Sequence, residues 1–139
     1  MRVEIKDLSL LRDKRGWLTE IIATNGDSEK IEQIHFAVSK PGAVRGNHYH
    51  KSRTEWLCVT SGTGRIILED TSTNERKELI VTGDSPVLVK ISPGIVHAIE
   101  NSADGLMHLL VVVDEKPDSA NSDTFKKILM PKTGSQETG

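Results

Sequence analysis

A single cysteine, Cys58, is all the thiol chemistry that the 139 residues offer. No internal disulfide can form, and the expected setting is a reducing one, the cytoplasm. Long apolar runs are missing too. The longest, LMHLLVVV at 106–113, is interrupted by His108 and is too short to span a bilayer. The opening residues, MRVEIKDLSL, contain no apolar stretch of the signal-peptide kind. Neither sign of charge dominates: 18 Lys and Arg face 20 Asp and Glu, for a net charge of −2. That argues against a nucleic-acid partner or a polybasic membrane surface. Aromatic residues make up only 4% of the chain and include one tyrosine, Tyr49.

What is present is a regular series of short β signals. The length suits one domain with its own core. Alternating or β-branched segments fall near 2–5, 17–23, 31–39, 54–60, 64–69, 77–82, 86–91, 95–100 and 106–113. Turn sequences separate them: TNGD, KPGA, SGTG, EDTSTNE, TGDS, SPG and SADG. This spacing predicts an all-β sandwich or small barrel over residues 1–130. One short helix is expected at 122–129, capped by Asn121 or Ser122, with Phe125, Ile128 and Leu129 as its apolar stripe. The polar tail 131–139 is expected to be disordered.

The stretch RGNHYHKSRTEWLCVTSG (45–62) carries the chemistry. Side chains on a strand alternate faces, so His48 and His50 share a side. Glu55, Leu57 and Val59 share one face of the next strand, and Trp56 and Cys58 take the other. With Glu55 inward, two imidazoles and a carboxylate converge. A second segment, SPGIVHAIEN, supplies His97 after a Pro-Gly turn. Such a set suits zinc, iron, manganese, nickel or copper, with a position open for water or substrate. The plainer reading of His48 and His50 alone is two polar residues on a half-exposed strand.

The whole pattern resembles the two signatures of the cupin superfamily. The first runs Gly42, His48, His50, Glu55, Gly62; the second runs Gly83, Gly94, His97, Asn101, with proline at 93 instead of the usual 92. The implied fold is a double-stranded β-helix, a small jelly roll. Upstream, DKRGWLTE (13–20) and EQIHFAVSKPGAVRGNHYH (32–50) resemble the nucleotide-sugar cupins, among them the dTDP-4-dehydrorhamnose 3,5-epimerases and the 4-keto-6-deoxyhexose ketoisomerases. Together with TEW (54–56) and DSANSDTF (118–125), they resemble above all one branch: the C-terminal cupin domain of the capsular-polysaccharide epimerase/reductase enzymes.

This resemblance implies an epimerase or isomerase of a nucleotide 4-keto-6-deoxysugar in surface polysaccharide synthesis, working as a homodimer whose N-terminal strands cross between subunits. Arg15 and Arg45 match arginines that hold the diphosphate or line the sugar site. Gln33 and His35 match polar residues facing the sugar, Tyr49 joins them as a substrate contact, and His48 matches the epimerase base. Where those epimerases usually have glutamine, this chain has His50, as in the metal-binding capsule branch. Their tyrosine acid, carried on a late strand, has no counterpart in GLMHLLVV (105–112). A histidine that ligates a metal cannot also be a free base, so the base is His48, His35, water or another group. Two other readings stay open: a metal-dependent oxygenase, and a sugar-binding cupin without turnover. His108 and Cys58 are expected to be structural, Trp17 and Trp56 to pack in the core, stack on a base or meet another subunit, and Lys40, Lys51 and Arg53 to be solvated or to attract an anionic substrate. Asp118, Asn121 and Asp123 are expected in turn and capping roles.

Overall fold

The computed structural model describes residues 1–22, 30–115, 120 and 122–131. Twelve strands follow in chain order: β1 (Val3–Asp7), β2 (Leu10–Asp13), β3 (Gly16–Thr19), β4 (Gln33–Ser39), β5 (Val44–Tyr49), β6 (Glu55–Ser61), β7 (Thr63–Asp70), β8 (Arg76–Thr82), β9 (Val87–Ile91), β10 (Ile95–Asn101), β11 (Met107–Val113) and β12 (Phe125–Lys126). They form two five-stranded sheets, ordered β1-β9-β6-β11-β4 and β12-β5-β10-β7-β8, and the separate hairpin β2-β3. Every pairing is antiparallel. This is the expected all-β jelly roll.

The core lies between the sheets. Leu57 and Val59 of β6, Ile66 and Leu68 of β7, Ile95 and Ile99 of β10, and Met107 and Leu109 of β11 belong to one buried cluster. Their spacing of two is the strand period turned inward. The opposite face of β6 is also covered: Trp56 and Cys58 pack with Leu88 and Val112 beneath Leu8, Ile21 and Ile22. Cys58 therefore faces away from the interior, as alternation predicts. Burial pushes its thiol up to about 11, which removes it as a nucleophile near neutral pH. Trp56 packs within this outer layer, while Trp17 is 40% exposed on the hairpin.

The helix expected at 122–129 is not formed; no helix is present among the described residues. Phe125 and Lys126 instead pair with Tyr49 and His48 as β12. Phe125 stacks on Tyr49 with ring centroids 5.5 Å apart. The edge of β5 offers unpaired backbone groups, whereas a two-turn helix bears the full cost of nucleation. The apolar spacing that mimics a helical stripe serves an edge strand and a descending strap that ends on Met130, which is 3% exposed. The turn TNGD, Asp118, Asn121 and the tail beyond 131 lie outside the described residues. Among the described residues, no helix is long and apolar enough to cross a membrane.

Candidate functional site

One interruption in the sheet assembles the site. Between β5 and β10, His97 pairs with His48 but Ala98 pairs with Gly46, so Asn47 is an extra residue, a β-bulge. Gly46 and Asn47 both take left-handed backbone angles, φ 89° and 60°, a conformation for which glycine and asparagine are the residues of choice. On an unbroken strand Arg45 and His48, three residues apart, would face opposite sides. With the bulge both line the same interior cavity.

The C-terminal strap holds this bulge in place. Asn47 Oδ1 accepts from the backbone N–H groups of Leu129 and Met130, at 2.9 and 3.0 Å, and its Nδ2 donates to the Met130 carbonyl at 2.8 Å. Asp123 anchors the other end. Its carboxylate accepts from the backbone N–H of Lys51, Ser52 and Arg53 and from the Ser52 hydroxyl. Burial raises the Asp123 pKa, but these donors outweigh it and leave the carboxyl below its usual range.

Within the cavity, His48, His50, Glu55 and His97 each present a ligand atom, and these atoms lie within 4.8 Å of one another. His50 Nε2 is 2.9 Å from Glu55 Oε1, and His97 Nε2 is 3.1 Å from Oε2. The second approach is misaligned, and buried His97 Nε2 has no hydrogen-bond partner. Both rings are oriented from behind: His50 Nδ1 donates to the Asp123 carbonyl at 2.9 Å, and His97 Nδ1 to the Ile95 carbonyl at 3.1 Å. In a neutral ring this leaves the lone pair on Nε2, aimed at the cluster. Burial pushes Glu55 upward, but the facing imidazoles prevail and hold it well below the carboxylate range. Burial lowers His97, and Glu55 overrides that to raise it. Two lone-pair nitrogens facing a carboxylate this closely require positive charge between them, as protons or as a divalent cation. The donor set fits a metal ion, with the orphaned His97 Nε2 as the atom that gains most.

The cavity measures about 440 Å³. His35, Arg45 and Arg53 contribute polar walls; Leu57, Ile99, Leu109 and Val111 contribute apolar ones. Its size and lining are those of a small-molecule site.

The sequence model of the polysaccharide biosynthesis C-terminal domain matches residues 11–125. The chain belongs to this family. A UDP-2-acetamido-2,6-beta-L-arabino-hexul-4-ose reductase from Pseudomonas aeruginosa is 32% identical over 119 residues, covering 86% of this chain but 31% of that protein. The chain thus spans under a third of that relative. The TDP-4-oxo-6-deoxy-alpha-D-glucose-3,4-oxoisomerase of Aneurinibacillus thermoaerophilus is 26% identical over 134 residues, 93% of this chain and 94% of its own. Among solved structures, the capsular polysaccharide assembling protein CapF from Staphylococcus aureus superimposes with a TM-score of 0.67 at 34% identity, over 86% of this chain and 32% of CapF. The resemblance to nucleotide-sugar cupins expected from the sequence is borne out by the family match and by these relatives.

The expected site residues divide into those brought together and those left apart. His48, His50, Glu55 and His97 form the cluster, and His35 and Arg45 line the same cavity. Gln33 is behind His35: its Oε1 accepts from His35 Nε2 at 2.9 Å. Arg15 sits on the β2-β3 hairpin, 86% exposed and paired with Asp13 at 2.6 Å, away from the residues that line the cavity. Tyr49 stacks on Phe125 instead of lining it. Sequence reasoning passed over Asp123 as a support of His50, and gave Arg53 no more than a charge role. The signal for both is the three successive N–H groups of residues 51–53, which need an acceptor that only the distant strap supplies.

Proposed function

We propose that this chain is an epimerase or isomerase of a nucleotide 4-keto-6-deoxysugar in surface polysaccharide synthesis. One observation carries the reading: a carboxylate–imidazole cluster shares a cavity with a separate histidine, His35, that is outside the cluster. By their names the relatives act on keto-sugar nucleotides, one as a 3,4-oxoisomerase and one as a reductase. The C–H beside a ketone is acidic enough for a positioned imidazole to remove. Held by His48, His50, Glu55 and His97, a divalent metal such as zinc, iron, manganese or nickel would supply a Lewis acid for the negative charge that develops on the carbonyl oxygen.

This reading divides the labour between two histidines. His48 belongs with the ligands, and His35 carries the proton. Because Gln33 Oε1 can only accept, His35 Nε2 bears the hydrogen, and Nδ1 keeps the lone pair that receives the substrate proton. Arg45 Nε donates to Ser39 Oγ at 2.8 Å and Nη2 to the Val38 carbonyl at 3.1 Å, so its charge is held in place without a carboxylate and can face the enolate oxygen. Met107, Leu109 and Val111 are the core-facing residues of β11, so this wall supplies no second acid. That favours a single proton carrier over a two-centre epimerisation.

In deuterated water the protein is expected to incorporate deuterium next to the ketone of a nucleotide 4-keto-6-deoxysugar. His35→Asn should slow exchange about 10²- to 10⁴-fold while leaving metal content unchanged. Absence of exchange across a panel of such sugars would defeat the reading. Tight binding without exchange would select a sugar-binding protein, and iron with oxygen uptake an oxygenase.

A homodimer fits the surface. Ile34, Phe36 and Val38 on the outer face of edge strand β4 are 60%, 61% and 43% exposed, and Leu11 and Leu18 on the hairpin 70% and 63%. A second copy could cover the β4 face with its hairpin and deliver Arg15 to the neighbouring cavity. Sedimentation at micromolar concentration should give twice the chain mass; a monomer there would contradict the proposal. A cytoplasmic setting accords with the free, buried Cys58.

A further inference from the structure

Among the described residues, Arg15, Arg65 and Arg76 each have a carboxylate within salt-bridge distance. Arg53 is different. Its side chain lines the cavity, and its Nε is buried without a hydrogen-bond partner. Nε is the guanidinium nitrogen nearest the stem, and its burial keeps water from satisfying it. The stem itself starts from a fixed point, because the Arg53 backbone N–H donates to Asp123 Oδ2 at 3.1 Å and the same carboxylate holds the two preceding residues.

Among the described residues, nothing else in the cavity can neutralise this cation. The one carboxylate that the described residues place on its walls, Glu55, is committed to His50 and His97. The other guanidinium, Arg45, is bound to neutral acceptors. The described walls therefore carry two arginines and no free carboxylate, and any metal in the cluster would add to the positive excess. A ligand that balances this must be anionic, and it must offer oxygen lone pairs to a planar fork of N–H donors. Phosphate does both.

We infer that Arg53 is a phosphate-binding residue of this cavity, donating its terminal N–H groups to the diphosphate of the substrate. The inference rests on the nucleotide-sugar reading above, in which the diphosphate is the anionic group of the substrate. It moves the diphosphate contact within one subunit from Arg15, which is paired on the hairpin, to a residue beside the cluster.

The test uses the full chain with UDP, dTDP, uridine and thymidine as probes, by calorimetry and by thermal melting. Arg53→Met keeps the aliphatic stem and removes the donors. It should weaken UDP or dTDP binding about 10- to 100-fold, leave nucleoside binding unchanged, and melt no lower than the parent without ligand, since it removes an unpaired buried polar group. Arg53→Lys should fall between the two, keeping the charge but not the fork. If the parent binds a diphosphate and Arg53→Met binds it equally well, the inference is overturned while the nucleotide reading stands. If Arg53→Met melts well below the parent or fails to fold, Arg53 is structural and the inference is overturned as well. If the parent binds neither diphosphate, the nucleotide reading fails and takes this inference with it.

Discussion

Glu55→Gln is expected to empty the cluster of metal and to stop solvent exchange into the sugar. Glutamine keeps the shape of the side chain but loses the charge that both His50 and His97 face, at 2.9 and 3.1 Å. The residue is 7% exposed and the two histidines 4% and 5%, so water cannot stand in for the missing carboxylate. Breaking a buried charged pair in this way costs about 3–5 kcal/mol. Because Glu55 is a direct ligand in the proposed centre, metal affinity should drop by more than the ~10–100-fold that loss of an outer-shell partner brings. Competition titration with a chromophoric chelator measures the affinity, and deuterium uptake measures the chemistry. A Glu55→Gln protein that binds metal and exchanges protons like the parent would refute the proposed centre. His35→Asn provides the contrast, since it should lose exchange and keep the metal.

Gly46→Ala should damage both fold and site although residue 46 is not itself a ligand. A Cβ at this position would lie 2.5 Å from the His97 carbonyl oxygen and 3.2 Å from the Ala98 Cα. Both are backbone atoms of β10, with no flexible side chain that could yield. The backbone angle, φ 89°, is unfavourable for alanine as well. Left-handed geometry costs about 1–2 kcal/mol for a residue with a Cβ, and overpacking about 1–3 kcal/mol, so a total loss of about 2–5 kcal/mol is expected in urea unfolding. The relief available to the chain is to flatten the bulge, which would turn Arg45 and His48 to opposite faces. Metal affinity should therefore fall together with stability. Stability within about 0.5 kcal/mol of the parent, the range of a neutral surface change, would show that the bulge tolerates a side chain and would contradict this account.

Much of this site is legible in the linear pattern of residues. Alternation along β6 places Glu55, Leu57 and Val59 inward and Cys58 outward, and the strand obeys because both of its faces are buried and a slip of one residue would invert every side chain. The same rule misleads at β5. His48 and His50 share a side as alternation requires, yet Arg45 joins them only through Asn47, an extra residue that alternation does not count. Gly46 and Asn47 are types that tolerate left-handed backbone, so a trace of the bulge is in the sequence, but its position depends on pairing with β10. The segment 122–129 shows the opposite failure. Its apolar spacing reads as a helix, and the edge of β5 overrides that local preference with long-range hydrogen bonds. Arg15 and Arg53 differ for a similar reason: one arginine finds Asp13 two residues away, and the other lines a cavity where the one carboxylate among the described residues is already taken.

By itself the sequence determined the strand order of chemistry: which residues are imidazole and carboxylate donors, at what offsets, between which turns, in a chain with too little charge bias and too few apolar runs for other classes. Those are local properties, set by side-chain type and by a period of two. Only the tertiary structure decided which of these residues meet. His48 and His97 are 49 positions apart, and His50 and Asp123 are 73 apart. Their contact depends on a bulge and on a strap laid along an open sheet edge, both products of pairing between segments distant in the chain, whose registers no local pattern encodes.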